Sequence, residues 1–289
     1  MHPAPSVIVF TALSGIGFGL LFWLGLGLPA QTGLAAFWHY GLGYALAVGG
    51  LMASTLHLGH PERALLAFTQ WRTSWLSREA WAAVAALLVL APHAAAAVFW
   101  QARLPVLGVA GAALAVLTVF TTSMIYTQLK TVPRWNQPTT PPLFLALALG
   151  GGALLAGEAG AAAALLLVAA ALQVVAWRVG DGRFAQAASV ETATGLGRFG
   201  RVRLFEPPHT GGSYLTREMV HVVGRRHAGK LRLIALLAAF ALPLAILAVG
   251  GAAPLGLAVA ATVHLGGVLV ARWLFFAEAE HVVGLYYGR

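Results

Sequence analysis

Residues 54–80, STLHLGHPERALLAFTQWRTSWLSREA, form a polar interruption between two long apolar stretches, near 37–58 and 79–100. Seven ionisable side chains lie in this interruption, although only 9% of the 289-residue chain is charged and 59% is hydrophobic. A soluble domain has about 25% charged residues. Each flanking stretch is long enough to cross a hydrocarbon core, which takes about 20 residues. The interruption therefore predicts a loop between two transmembrane helices of an integral membrane protein.

Further apolar stretches repeat this pattern along the chain. They lie near 7–28, 106–129, 142–157, 160–178, 232–250 and 255–277. Because backbone polar groups in lipid must be satisfied within the segment, such stretches are expected to be helices. We predict one all-α membrane-anchor domain over 1–289, a bundle of eight transmembrane helices with one long basic cytoplasmic loop at 179–231. Only Gly157 to Gly160 separates the fifth and sixth stretches, so a tight turn and a helical hairpin are expected there. The long loop is expected to finish as a short amphipathic helix, roughly 213–230. The first stretch lacks the basic leader of a signal peptide, so it is expected to remain as a helix.

Glycine is abundant, with 34 residues, and it falls at helical spacing in SGIGFG (14–19) and GLGYALAVGG (41–50). Small residues let helices approach closely in membranes. A phosphate-binding glycine loop would need a preceding strand, and here both flanks are apolar helix. The glycines therefore predict close helix packing.

The basic residues predict the orientation. Of the 18 Lys and Arg residues, 17 fall in or beside one alternate set of loops and the chain ends, and Arg103 falls in the other set. The positive-inside rule then places both termini in the cytoplasm. This distribution accounts for the net charge of +9 without nucleic acid as a partner. The absence of cysteine excludes disulfides and thiolate-held iron–sulfur clusters in this chain.

Within the interruption, local structure explains most of the polarity but not His57. Gly59 and Pro61 are expected to end the second helix. Ser77 is expected to cap the third helix, with Glu79 in its first turn. His57 would lie at the end of a membrane helix, where a neutral imidazole can donate to a quinone carbonyl and exchange a proton with water.

The same stretch resembles the signature loop of membrane anchor subunits of the dimethyl sulfoxide reductase type. The family pattern is roughly H-L-G-x-P-x-R-A, a short gap, then S-x-L-S-x-E. The matching residues are His57, Leu58, Gly59, Pro61, Arg63, Ala64, Ser74, Leu76, Ser77 and Glu79. Residues 122–142 are similar to the family's segment after helix four. Residues 201–232 resemble a loop of members assigned to sulfite-oxidising molybdoenzyme complexes.

The resemblance implies a subunit of the bacterial inner membrane that binds quinone, either ubiquinone or menaquinone, and exchanges electrons with an iron–sulfur subunit. A molybdopterin catalytic subunit would complete the complex, so the molybdenum cofactor and the iron–sulfur clusters would lie in partner subunits only. The family's histidine of the quinol site corresponds to His57. The candidate quinone-binding residues are His57, Arg63, Ser77, Arg78, Glu79 and Tyr126. The candidate docking residues are Arg72, Lys130, Arg134, Arg201, Arg203, Arg225 and Arg226.

Several alternatives remain at this point. Arg63, Ser77 and Glu79 could equally hold the shape of the loop. The complex could oxidise sulfite, or it could reduce dimethyl sulfoxide with electrons from menaquinol. Haem b is possible but not favoured, with His39, His93 and His264 as candidate axial ligands. The repeated E-x-x-H-V-V-G pattern at 218–224 and 278–284 suggests a di-metal site only weakly, since further buried carboxylates are lacking.

Two other functional classes are also open. A transporter would be expected to carry internal repeats and a polar site in mid-span, and the chain shows neither convincingly. A purely structural tether would hold the soluble subunits without binding quinone. We expect no catalytic residue for the molybdenum chemistry and no metal site in this chain.

Overall fold

The computed structural model describes residues 1–206, 211, 215, 219 and 227–287. Within them the chain forms an all-helical bundle. The α-helices are α1 (Pro5–Gly25), α2 (Gly33–Ala53), α3 (Trp75–Phe99), α4 (Pro105–Thr127), α5 (Thr140–Ala156), α6 (Ala159–Ala187), α7 (Val190–Thr194), α8 (Ala228–Leu236), α9 (Leu242–Gly250) and α10 (Pro254–Ala277). A π turn at Leu237–Ala241 joins α8 to α9. Short 3-10 turns lie at Ser54–His57, Pro61–Phe68, Leu196–Phe199 and Val282–Tyr287.

Six helical segments of the described chain are long and apolar enough to cross a membrane. They are α1, α3, α4, α6, the run from α8 through α9, and α10. Helix α5 is apolar but has only 17 residues, and the 21-residue α2 is not among the six. A multi-pass membrane protein is therefore confirmed, whereas the predicted number of eight spans is not.

Two predicted boundaries differ from the structure. Helix α6 continues to Ala187, beyond the expected end at 178, so the first part of the predicted long loop is helical. Helix α3 is capped by Ser74 rather than by Ser77. The Ser74 hydroxyl accepts a hydrogen bond from the Ser77 backbone N–H at 3.4 Å, which satisfies one donor of the first turn. The short helix expected near 213–230 lies mostly outside the described residues.

The tight turn expected between the fifth and sixth apolar stretches is confirmed. Gly157 ends α5 with φ of +82°, and α6 begins two residues later at Ala159. Glycine adopts this left-handed conformation without the strain that a Cβ would add. The two helices therefore form a hairpin, and α5 lies against α1 and α10 in the middle of the bundle.

The glycines bring helix backbones into contact, as the sequence predicts. A Cβ on Gly50 of α2 would lie 2.4 Å from the backbone nitrogen of Ser14 in α1. A Cβ on Gly152 of α5 would lie 2.1 Å from the carbonyl carbon of Gly19 in α1. Helix α1 therefore packs between α2 and α5 at backbone-to-backbone distances that larger side chains at Gly50 and Gly152 would prevent.

One end of the bundle gathers the segments that carry most of the basic side chains. The end of α10 meets the segment after α4, where the Val282 N–H donates to the Thr131 carbonyl at 2.9 Å. The segment 54–74 lies at the same end, because the start of α3 contacts the end of α4 there. The residues after 178 and the start of α8 lie there as well, because Asp181 contacts Arg134 and Arg232 and the Tyr286 hydroxyl donates to the Ala193 carbonyl at 3.1 Å. We call this end, with segments 54–74, 128–139, 179–206, 227–232 and 278–287, the basic face.

Candidate functional site

The loop between α2 and α3 is folded back onto the start of α3. The Ser77 hydroxyl donates to the Ala67 carbonyl and accepts from the Gln70 N–H at 3.3 Å. The Trp81 indole donates to the Phe68 carbonyl at 3.0 Å, and the two rings meet edge to face. These bonds satisfy loop backbone groups that would otherwise need water. Ser77 therefore acts on the shape of the loop.

Arg78 closes the same loop from its exposed side. Its Nε donates to the Trp71 carbonyl at 3.0 Å and its Nη2 donates to the Arg72 carbonyl at 2.7 Å. The guanidinium also lies 4.3 Å from the centre of the Trp75 ring, a cation–π contact. Two of the residues predicted to bind quinone, Ser77 and Arg78, thus have their described contacts within the loop itself.

Glu79 points the other way, into the bundle. Its side chain is buried, with 3% of the residue exposed, and its carboxylate accepts a hydrogen bond from the Thr122 hydroxyl of α4. Tyr126, one turn further along α4, is also buried and lies within electrostatic range of Glu79. The structure therefore brings two predicted site residues, Glu79 and Tyr126, together beneath the loop.

The other predicted members of the quinone set lie on the loop. His57 is the last residue of the 3-10 turn that follows α2, and its side chain lies outside what the structure describes. Arg63 is exposed in the 3-10 turn Pro61–Phe68. Nearby, His60 Nδ1 and Glu62 form an exposed pair at 2.9 Å.

Four charged side chains form an ion-pair cluster on the basic face that the sequence did not reveal. Asp181 contacts Arg134 and Arg232 at 2.5 Å each. Glu278 contacts Arg232 at 2.8 Å and Arg134 at 3.3 Å. The cluster joins the segment after α4 to α6, α8 and the end of α10. It is neutral overall, which lowers the cost of its partial burial.

The predicted docking residues are divided by this arrangement. Arg72, Lys130, Arg201 and Arg203 are exposed. The Arg134 side chain is only 15% exposed and takes part in the ion-pair cluster. Arg225 and Arg226 lie outside the described residues.

Arg272 is placed differently from the expectation that it belongs to a terminal basic segment. It lies within α10 with 4% of the residue exposed. Its guanidinium carbon is 3.5 Å from the centre of the Phe144 ring, and Tyr126 lies within its electrostatic range. A charged side chain buried within a membrane helix is a functional candidate. The sequence did not indicate its burial, because Arg272 begins an Arg-Trp-Leu-Phe-Phe run near the end of an apolar stretch, where an arginine is ordinarily an interfacial anchor.

His264 of α10 forms a hydrogen bond with a backbone carbonyl, and its other ring nitrogen faces α5. Pro243 has no N–H, so the Ala239 carbonyl four residues earlier lacks its helical donor. His264 Nδ1 fills this role at 2.7 Å. A Cβ on Gly151 would lie 3.0 Å from His264 Nε2, so α5 leaves no room for a metal on that nitrogen. The Nε2 side of His264 therefore does not fit a haem iron.

The other candidate ligands are also engaged locally. His93 Nδ1 pairs with the Leu104 carbonyl at 3.0 Å, and His39 Nδ1 pairs with the Ala35 carbonyl at 2.9 Å. In the second E-x-x-H pattern, His281 Nδ1 accepts from a backbone N–H at 3.0 Å. Burial lowers the pKa of His281, since it disfavours the charged imidazolium. The first E-x-x-H pattern lies outside the described residues.

Comparison with known proteins gives a consistent result. The family model described as DMSO reductase anchor subunit (DmsC) matches residues 1–192. The chain is also 33% identical to a protein of Allochromatium vinosum named as a subunit of sulfite dehydrogenase, and the alignment covers 99% of both chains. No solved structure matches the chain.

Proposed function

The chain belongs to the family of DMSO reductase anchor subunits, and on this premise we propose that it is the quinone-reactive anchor of a molybdoenzyme complex that oxidises sulfite. The observation that carries the proposal is the similarity over 99% of both chains to a protein named as a subunit of sulfite dehydrogenase. The alignment covers nearly the whole of both chains, so it includes the loop 54–80 and the end of α10.

We place the quinone headgroup under the loop that joins α2 and α3. His57 would donate to a quinone carbonyl and exchange a proton with water. Glu79 lies beneath the same loop as a buried carboxyl held by Thr122, and it is the second candidate for proton exchange. When bound, a quinone supplies the acceptor for the electrons and protons that sulfite oxidation releases. Ser77 and Arg78 would position the loop, and Tyr126 would line the inner side of the site.

The basic face would carry the partner subunits. Arg72, Lys130, Arg201 and Arg203 present exposed positive charge there, which suits an acidic patch on an iron–sulfur subunit. Arg134 would support this surface through the ion-pair cluster, because its side chain is largely buried. Arg225 and Arg226 stay in the proposed set. The molybdopterin subunit would bind the iron–sulfur subunit and hold the molybdenum cofactor.

We also propose that α2 and α5 cross the membrane, which gives eight spans. Helix α2 has 21 residues and α5 packs against α1 at backbone distance. With eight crossings, both chain ends lie on the basic face, and the positive-inside rule places that face in the cytoplasm. Accessibility labelling of single cysteines introduced at positions 30 and 63, which flank α2, and at positions 130 and 158, which flank α5, tests this, because the chain has no cysteine. Each pair should be labelled from opposite sides of the membrane, and labelling of both members from one side would contradict that crossing.

The second candidate is an anchor that oxidises menaquinol for a sulfoxide reductase, which the description of the matching family favours. One purified complex distinguishes the two. Sulfite-dependent reduction of a soluble quinone supports the first, and quinol-dependent reduction of dimethyl sulfoxide supports the second. A transporter would copurify without iron–sulfur absorbance, and that result would contradict both.

A further inference from the structure

A small cavity lies just inside the ion-pair cluster, between the start of α5, the later part of α6 and the end of α10. Measured as the space open to the centre of a water molecule, it has a volume of about 20 Å³. Arg134 and Glu278 of the cluster line its outer end. Gln137, Gln173 and Arg272, each about nine-tenths buried or more, line the rest of its polar wall.

Two buried polar atoms in this wall have no hydrogen-bond partner among the described residues: Arg272 Nε and Gln137 Oε1. The orientation of the Gln137 amide is fixed, because its Nε2 donates to the Arg134 carbonyl at 2.7 Å and to the Ala176 carbonyl at 3.2 Å. Its oxygen is therefore the free atom. A buried donor or acceptor without a partner costs about 1–3 kcal/mol, and more when it is charged.

We propose that this cavity binds an ordered water molecule that accepts from Arg272 Nε–H and donates to Gln137 Oε1. One donor and one acceptor without partners match the two roles of water. A cavity of about 10–15 Å³ by this measure is enough for one water molecule, and this one is slightly larger.

A small anion is the competing occupant, and the wall does not suit it. An anion only accepts hydrogen bonds, so Gln137 Oε1 would stay unsatisfied. The Glu278 carboxylate also lines the cavity and would repel an anion. Water has neither difficulty. The water would solvate the Arg272 guanidinium on the cavity side, whereas the Phe144 ring lies 3.5 Å from the guanidinium carbon. Arg272 would then separate this water from Tyr126.

X-ray hydroxyl-radical labelling of the purified complex, read by mass spectrometry, tests the proposal, because a bound water generates radicals beside buried side chains. Leu143 and Leu147 line the cavity and are buried, with 4% and 2% exposed. Leu154 of α5 and Leu257 of α10 serve as controls, because their exposed fractions of 1% and 8% bracket those of the first pair and neither residue lines the cavity. We expect several-fold more oxidation at the first pair. Equal labelling of the two pairs would overturn the proposal, without need of any variant.

Two variants locate the water. Gln137→Met keeps the side-chain length, Arg272→Met shortens it, and each variant removes one partner, so labelling of Leu143 and Leu147 is expected to fall toward the control level. Unchanged labelling in both variants would overturn the proposal. Thermal unfolding in chloride and in gluconate adds a second measurement. A chloride-dependent stabilisation that disappears in Arg272→Met would mean that the occupant is an anion, which also overturns it.

Discussion

The ion-pair cluster predicts unequal effects for its two acidic members. In Glu278→Gln the size is kept and the charge is lost, so Arg134 and Arg232 share only Asp181. The Glu278 side chain is 4% exposed, whereas that of Asp181 is 46% exposed. Breaking a fully buried pair costs about 3–5 kcal/mol. Because Asp181 still holds both guanidinium groups, we expect a smaller loss for Glu278→Gln, roughly 2–3 kcal/mol.

For Asp181→Asn we expect about 1 kcal/mol or less, although its contacts to both arginines are short, since solvent screens a half-exposed pair. In a protein of this size each kcal/mol shifts the unfolding midpoint by about 2 °C. The midpoint should thus fall by about 4–6 °C in Glu278→Gln and by about 2 °C in Asp181→Asn.

The assay is thermal unfolding of the purified complex in detergent, followed by intrinsic tryptophan fluorescence at one scan rate for all variants. The double variant controls for independent effects: with both carboxylates gone, Arg134 and Arg232 face each other unpaired, and its loss should exceed the sum of the single losses. A larger shift for Asp181→Asn than for Glu278→Gln would refute the reasoning, because exposure would then not set the strength of these pairs.

Three further predictions follow from the helix contacts and the basic face. Gly50→Ala should destabilise the protein by about 1–3 kcal/mol, because its Cβ would meet the backbone of Ser14. Gly49→Ala is the control: its Cβ would meet nothing within 4 Å, so the unfolding midpoint should stay unchanged. Equal shifts of the midpoint in the two variants would contradict the close packing of α1 and α2. Glu79→Gln keeps an acceptor for Thr122, so the complex should assemble while quinone turnover falls about 100-fold or more; normal turnover would remove Glu79 from the site. Arg201→Glu with Arg203→Glu should weaken retention of the iron–sulfur subunit on a column, most strongly at low salt; retention equal to wild type at every salt concentration would argue against docking there.

The sequence predicted the features that depend on local patterns. The apolar stretches placed the helices, Gly157 marked the hairpin between α5 and α6, and the glycines of α1 and α2 marked the close contact. The helix start was missed by three residues, because Ser74 and Ser77 are both good caps and only the fold of the loop decides between them. Ser77 instead bonds to the loop.

Long-range ion pairs carried no local signal. Arg134 and Glu278 are 144 residues apart, and each alone resembles an ordinary charge at a helix end. Arg272 shows the same limit, since its position in the sequence suggested a terminal anchor and packing of α10 against α5 buries it beside Phe144. Contacts such as Arg134–Glu278 and Arg272–Phe144 form only when distant helices pack together, so no local sequence pattern predicts them.

The most direct test of the central claim is sulfite-dependent quinone reduction by the purified complex carrying His57→Ala. Sulfite-dependent reduction of a soluble electron acceptor, measured in the same preparation, reports the catalytic and iron–sulfur subunits without the anchor. The account predicts that quinone reduction is lost while the soluble-acceptor activity and the amounts of the bound partner subunits stay at wild-type levels. Quinone reduction at the wild-type rate in His57→Ala would contradict it.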